Sequence, residues 1–190
     1  GTTDSNDQNV VITIDGTNDA PVIANPILTV DPADSAAATL TETDAVLTTT
    51  GTLTVTDADI TDTVTADVVG VTVTSGPDGG LTNATLEAML TVTGTPIDDT
   101  TTGAPNNLTW TFNSAAADTF DYLNDTESLV LTYVLRAHDG TTNSNDQNVV
   151  ITIDGTNNAP VIANTIPTFD PPDSAVPTRT QNSPHCTTTA

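Results

Sequence analysis

Along most of this chain Val, Ile and Leu alternate with Thr, Asn and Asp in a period of two. That spacing puts apolar side chains on one face of an extended strand and polar ones on the other. Thr alone makes up about a fifth of the residues, and β-branched side chains suit the pleated, half-buried surface of a sheet. The pattern predicts strands over residues 9–14, 27–30, 38–41, 52–56, 64–74, 90–93, 108–112, 128–136 and 148–153. Turn residues punctuate them, as at Asp15-Gly16, Pro77-Asp78-Gly79-Gly80 and Asp139-Gly140. Short strands at such intervals predict an all-β fold built as an antiparallel sandwich. Helix is marginal: residues 83–90 place Leu86, Met89 and Leu90 at i, i+3, i+4 behind an Asn cap, and residues 114–123 form the other helical candidate. Two strand faces define the expected core. One carries Leu108, Trp110 and Phe112, and the other Leu129, Leu131, Tyr133 and Leu135.

The same pattern occurs twice. Residues 1–25 return at 140–164 with only Asp4 and Asp19 replaced, by Asn143 and Asn158, at an offset of 139 residues. A near-copy at a domain-sized interval is the signature of a tandem array. The expected organisation is therefore the last strand and linker of one repeat over 1–19, a complete repeat over 20–158 and the start of another over 159–175. Residues 176–190 match nothing earlier and hold the sole Cys, Cys186, and one of the two Arg. They read as a disordered tail left by truncation or a frame change. A function that tolerates near-copying is structural more often than catalytic.

Charge narrows the partners. Twenty-five acidic residues against two Arg and no Lys give a net charge of −23, which excludes nucleic acid and anionic membranes as partners. The 36% hydrophobic content in alternating runs separates this chain from a disordered acidic tail. No stretch is long and apolar enough to span a membrane. A single Cys cannot form an internal disulfide, and without Lys no Lys–Asn isopeptide bond can staple the fold. Bound cations are the remaining staple, and calcium takes six to eight oxygen ligands.

Asp57-Ala58-Asp59, with Asp62 beyond it, leaves the end of a predicted strand, so its i, i+2 carboxylates project to one side. Asp15, Asn18 and Asp19 lie in the loop after another strand. Were Asp15–Asp19 to cap one unit while Glu42 and Asp57–Asp62 sat together at the facing end of the next, about six oxygens would converge at the junction. Asp139, together with Asp154 and Asn157 of the second copy, completes the candidate set. Each of these residues also suits an ordinary turn, where Asp and Asn side chains bond nearby backbone amides. Arg136, isolated among acids, is expected to pair locally with a carboxylate.

Several ordered motifs resemble the VCBS repeat of large bacterial surface adhesins of the RTX type: GTLTVTDADITDT at 51–63, LTWTFNSAAADTFDYLNDTESLVLTYVLRAHDG at 108–140, and VVITIDGTNDAPVI at 10–23 with its copy at 149–162. The DGTNDAPV linker is also similar to the calcium-binding junction of cadherins. That likeness implies that Asp15, Asn18, Asp19, Glu42, Asp57 and Asp59 sit in a calcium cluster between domains. The resemblance implies an immunoglobulin- or cadherin-like β-sandwich with Greek-key connections, repeated many times outside a Gram-negative cell. The RTX nonapeptide is missing from this sequence, and the segment 64–107 makes the unit longer than the usual repeat.

The functional expectation is a non-enzymatic, calcium-stiffened spacer of an adhesin, active in cell adhesion or biofilm formation. Its partners would be neighbouring repeats, calcium, and a cell-surface or host receptor. Two alternatives stay open. The segment 64–107 would bind a sugar or peptide, or the domain would associate homotypically. No Ser-His-Asp or Cys-His set can be argued, because His185 and Cys186 fall in the anomalous tail.

Overall fold

The computed structural model describes residues 1–24, 35–93, 96–97 and 104–160. Within them the alternating runs become β1 (Val22–Ala24), β2 (Ala37–Thr41), β3 (Thr48–Thr56), β4 (Thr65–Ser75), α1 (Asn83–Glu87), β5 (Leu90–Thr93), β6 (Leu108–Asn113), β7 (Ser128–His138) and β8 (Gln147–Asp154). They build two four-stranded sheets, ordered β1-β3-β6-β5 and β2-β8-β7-β4. The chain is an all-β sandwich. Every pairing is antiparallel except β2–β8, which is parallel and sits at a sheet edge. The antiparallel expectation is corrected at that pair.

The expected core faces meet between the sheets. Leu108, Trp110 and Phe112 of β6 and Leu129, Leu131, Tyr133 and Leu135 of β7 are all fully buried. Alternation persists along the whole of β7, where every second side chain is buried from Leu129 to Ala137. Phe112 and Tyr133 touch edge to face across the sandwich with ring centroids 6.4 Å apart. The Tyr133 hydroxyl donates to the Leu86 carbonyl at 2.8 Å, which satisfies it inside the core and ties α1 down. Burial pushes that phenol's pKa well above its ordinary value.

Helix α1 is a single turn, capped by Thr82 rather than by Asn83: the Thr82 hydroxyl accepts from the Thr85 amide at 3.2 Å. Residues 114–123 form turns, not a helix. Ala115 has a positive φ there, and the Thr119 hydroxyl bonds the Ser114 and Ala116 carbonyls. Phe120 and Leu123 still bury their side chains in the core. The segment 64–107 supplies β4, α1 and β5, so most of its described residues belong to the sandwich itself.

The strand expected at 9–14 is not formed, and Val10, Ile12 and Ile14 are 84%, 79% and 89% exposed. Their counterparts Val149, Ile151 and Ile153 in β8 are 0% exposed, between β2 and β7. Identical sequence therefore gives opposite outcomes, because a strand needs neighbours for its backbone groups. The expected strand at 27–30 and the tail 176–190 lie outside the described residues. Residues Gly1–Asn158 form one unit, and the second, Ala159–Ala190, is almost wholly outside the described set.

Candidate metal centre

Strand order places two acidic clusters at opposite poles. Strand β3 begins after the loop that holds Glu42 and ends directly before Asp57, and its nine residues span about 30 Å. Strand β7 runs the same way between the clusters, from the loop after Asp121 to Asp139. Glu42 and Asp57–Asp62 therefore do not share one end of the unit, which corrects the sequence expectation.

At the upstream pole one carboxylate oxygen each from Asp57, Asp62 and Asp139 lie within 4.8 Å of one another. Asp57 closes β3 and is 4% exposed; its Oδ1 accepts the Asp59 amide at 3.0 Å, while its buried Oδ2 has no hydrogen-bond partner. Asp139 organises the turn after β7: Oδ1 accepts the amides of Thr141 and Thr142, both at 2.6 Å, and Oδ2 accepts the Thr142 hydroxyl. This is the turn role that sequence left open for these acids. The linker docks at the same pole. Asn18 Nδ2 donates to Asp139 Oδ2 at 3.0 Å, and the Asp19 amide donates to Asp59 Oδ2 at 2.7 Å.

The donors around Asp139, led by the Thr142 amide, hold its carboxyl well below the usual carboxylate range. Asp62 is pushed the other way, by desolvation first and then by the charges of Asp59, Asp139 and Asp57. Arg136, the one Arg among the described residues, is engaged elsewhere in a 2.6 Å ion pair with Asp146, as expected for it. No Lys or Arg side chain is left among the described residues to neutralise the cluster. Three close carboxylates and a bare buried oxygen make a site able to hold a metal ion, and a donor set of oxygens alone matches hard cations.

At the downstream pole the second cluster joins Glu42 to Asp44 and Asp121. Sequence reading missed both partners of Glu42. Asp44 repeats, after β2, the i, i+2 acidic spacing seen after β3, and Asp121 was hidden in the stretch expected to be helical. Of the other candidates, Asp59 lies outside the three-carboxylate group but anchors the linker through Asp19. Asp15 and Asp19 are exposed and join neither cluster. Asp154 ends β8, where its Oδ1 accepts the Ser128 hydroxyl at 2.6 Å, and Asn157 lies exposed beside the Asp121 loop.

These features define an all-β sandwich with an acidic, cation-type cluster at each end. No family model, no curated protein and no solved structure matches this chain.

Proposed function

We propose that this chain is a calcium-stiffened spacer, a repeat unit of an exported bacterial surface adhesin that holds its neighbours at a fixed distance and does no catalysis. The observation that carries the reading is the bare, buried Asp57 Oδ2 in the Asp57, Asp62, Asp139 group; the incoming linker is already docked on that group through Asn18 and on the neighbouring Asp59 through Asp19. A cation there neutralises the cluster and joins the β3–β4 loop to the β7–β8 turn that grips the linker. A flexible joint becomes a stiff one. Calcium suits the site because it takes six to eight oxygens in adaptable geometry, where magnesium demands a strict octahedron. The resemblance to VCBS repeats supports the extracellular setting, where calcium is abundant.

The test is thermal unfolding of the full chain in EGTA, then in calcium from micromolar to millimolar, with magnesium as control. A site held at 100 times its dissociation constant stabilises the fold by about 2.7 kcal/mol. In a domain of this size that shift is about 5–10 °C. An unchanged melting temperature would reduce the acids to turn formers and solvating charge.

A ligand-binding reading is favoured by one observation, an open groove of about 490 Å³ lined by Asp67, Val68, Ala84, Glu87, Ala88 and Leu90. Binding of the full chain to a glycan array, lost in a Glu87→Ala, Asp67→Ala variant, would move the function to that face.

A further inference from the structure

The geometry points to a second, independent divalent-cation site at the downstream pole, formed by Glu42, Asp44 and Asp121, which locks the departing linker. It extends the cation reading above to another set of residues and does not require that the first site be occupied.

Glu42 is 1% exposed, the most deeply buried charged side chain among the described residues. Its Oε2 accepts the Thr156 hydroxyl, and its Oε1 has no partner at all. The same carboxylate lies within 4.8 Å of oxygens from Asp44 and Asp121, and the described Arg is bound to Asp146. A buried carboxylate with one bare oxygen and two like charges beside it is unfavourable unless a positive charge is supplied. A proton or a hard cation can supply it, and three converging carboxylates that present only oxygens are the ligand set of the cation. The proton is the rival outcome, since desolvation and then Glu42 push the Asp121 pKa upward.

What the site would lock is visible in the chain path after β8. The Glu42 amide donates to the Asp154 carbonyl at 2.7 Å, the Gly155 amide to the Glu127 carbonyl at 2.9 Å, and Asn158 Nδ2 to the Asp121 carbonyl at 3.3 Å. A Cβ at Gly155 would fall 2.3 Å from the Asn124 carbonyl, so the linker leaves pressed against the loop that carries Asp121. Glu42 and Asp121 thus flank the departing chain, and a cation bridging them closes the passage around it. The two copies of the linker are held by different neighbours. The copy after β8 is held at Asp154, Gly155, Thr156 and Asn158 by the unit it leaves, while Asn18 and Asp19 of the first copy are held by the unit they approach.

The experiment is calorimetric titration of calcium chloride into the full, chelator-treated chain at pH 7, alongside Glu42→Gln and Asp57→Asn, with amide exchange read at Gly155. Wild type should show two classes of site. Glu42→Gln should remove one or weaken it at least tenfold, and calcium should then no longer slow exchange at Gly155, while Asp57→Asn leaves both properties of the downstream site intact. Should Glu42→Gln fail to fold, Asp121→Asn, at an exposed position, must give the same loss. Unchanged stoichiometry in both variants, or a wild-type Gly155 amide indifferent to calcium, overturns the second site. Loss of binding in Asp57→Asn alone would leave only the upstream reading standing, and a wild type that binds nothing removes both.

Discussion

At the scale of single residues the sandwich is sensitive where a large side chain lies over a small one. Gly51 pairs with Trp110 across β3 and β6, and a Cβ at Gly51 would fall 2.4 Å from the indole ring. The ring cannot swing aside, because its Nε1 donates to the Ser35 carbonyl at 2.8 Å and its body is fully buried. Gly51→Ala should therefore cost about 1–3 kcal/mol in denaturant unfolding, the usual range for overpacking. The carboxyl groups predict a pH response in EGTA. Asp62 and Asp121 have raised pKa values in the fold, so their ionised forms oppose folding at neutral pH, and stability should rise as pH falls through those values toward about 4. Asp139 has a lowered value, so its contribution is complete above about 4 and disappears only as pH falls further, through the folded value. Melting temperature against pH should pass through a maximum on the acid side of neutrality, and saturating calcium should flatten the rise. A monotonic fall from pH 7 would contradict the two clusters.

At the scale of elements the duplicated segment separates local pattern from tertiary partner. Ile12 and Ile151 stand in identical surroundings of sequence, yet only Ile151 is enclosed between sheets. Ile151→Asp should cost more than about 3 kcal/mol, since it buries an unpaired charge, while Ile12→Asp should stay within about 0.5 kcal/mol. Equal effects would mean that the first copy is also packed. The same contrast explains what could be read in advance. Period-two alternation located β2 through β8 to within a few residues, and the faces of β6 and β7 followed from side-chain direction alone. Strand β1 escaped because three residues carry almost no pattern; Asn145 holds it there by bonding both the amide and the carbonyl of Ile23 at 3.1 Å. Asp121 escaped because Phe120 and Leu123, three apart, imitate a helical period in what is a turn. The sequence expectation sets Glu42 beside Asp57, but β3 separates them and its chain direction sends them to opposite poles.

At the scale of the molecule a net charge of −23 raises the question of whether calcium acts at sites or only as a screening ion. The two answers differ in salt dependence. At 0.1 M ionic strength the screening length is about 10 Å, shorter than the roughly 30 Å between the poles, so diffuse repulsion is already weakened and the two clusters do not sense each other. Sodium chloride should then raise the melting temperature slightly and reach a plateau, while millimolar calcium added to 0.1 M sodium chloride should raise it by several degrees more. Because the poles share no residue, the calcium increments lost in Asp57→Asn and Glu42→Gln should sum, within about 0.5 kcal/mol, to the loss in the double variant. A calcium effect that sodium chloride reproduces at matched ionic strength would place the stabilisation in the whole charged surface. An effect that is additive, calcium-specific and divided between the poles would place it at the two ends, as the proposed spacer function requires.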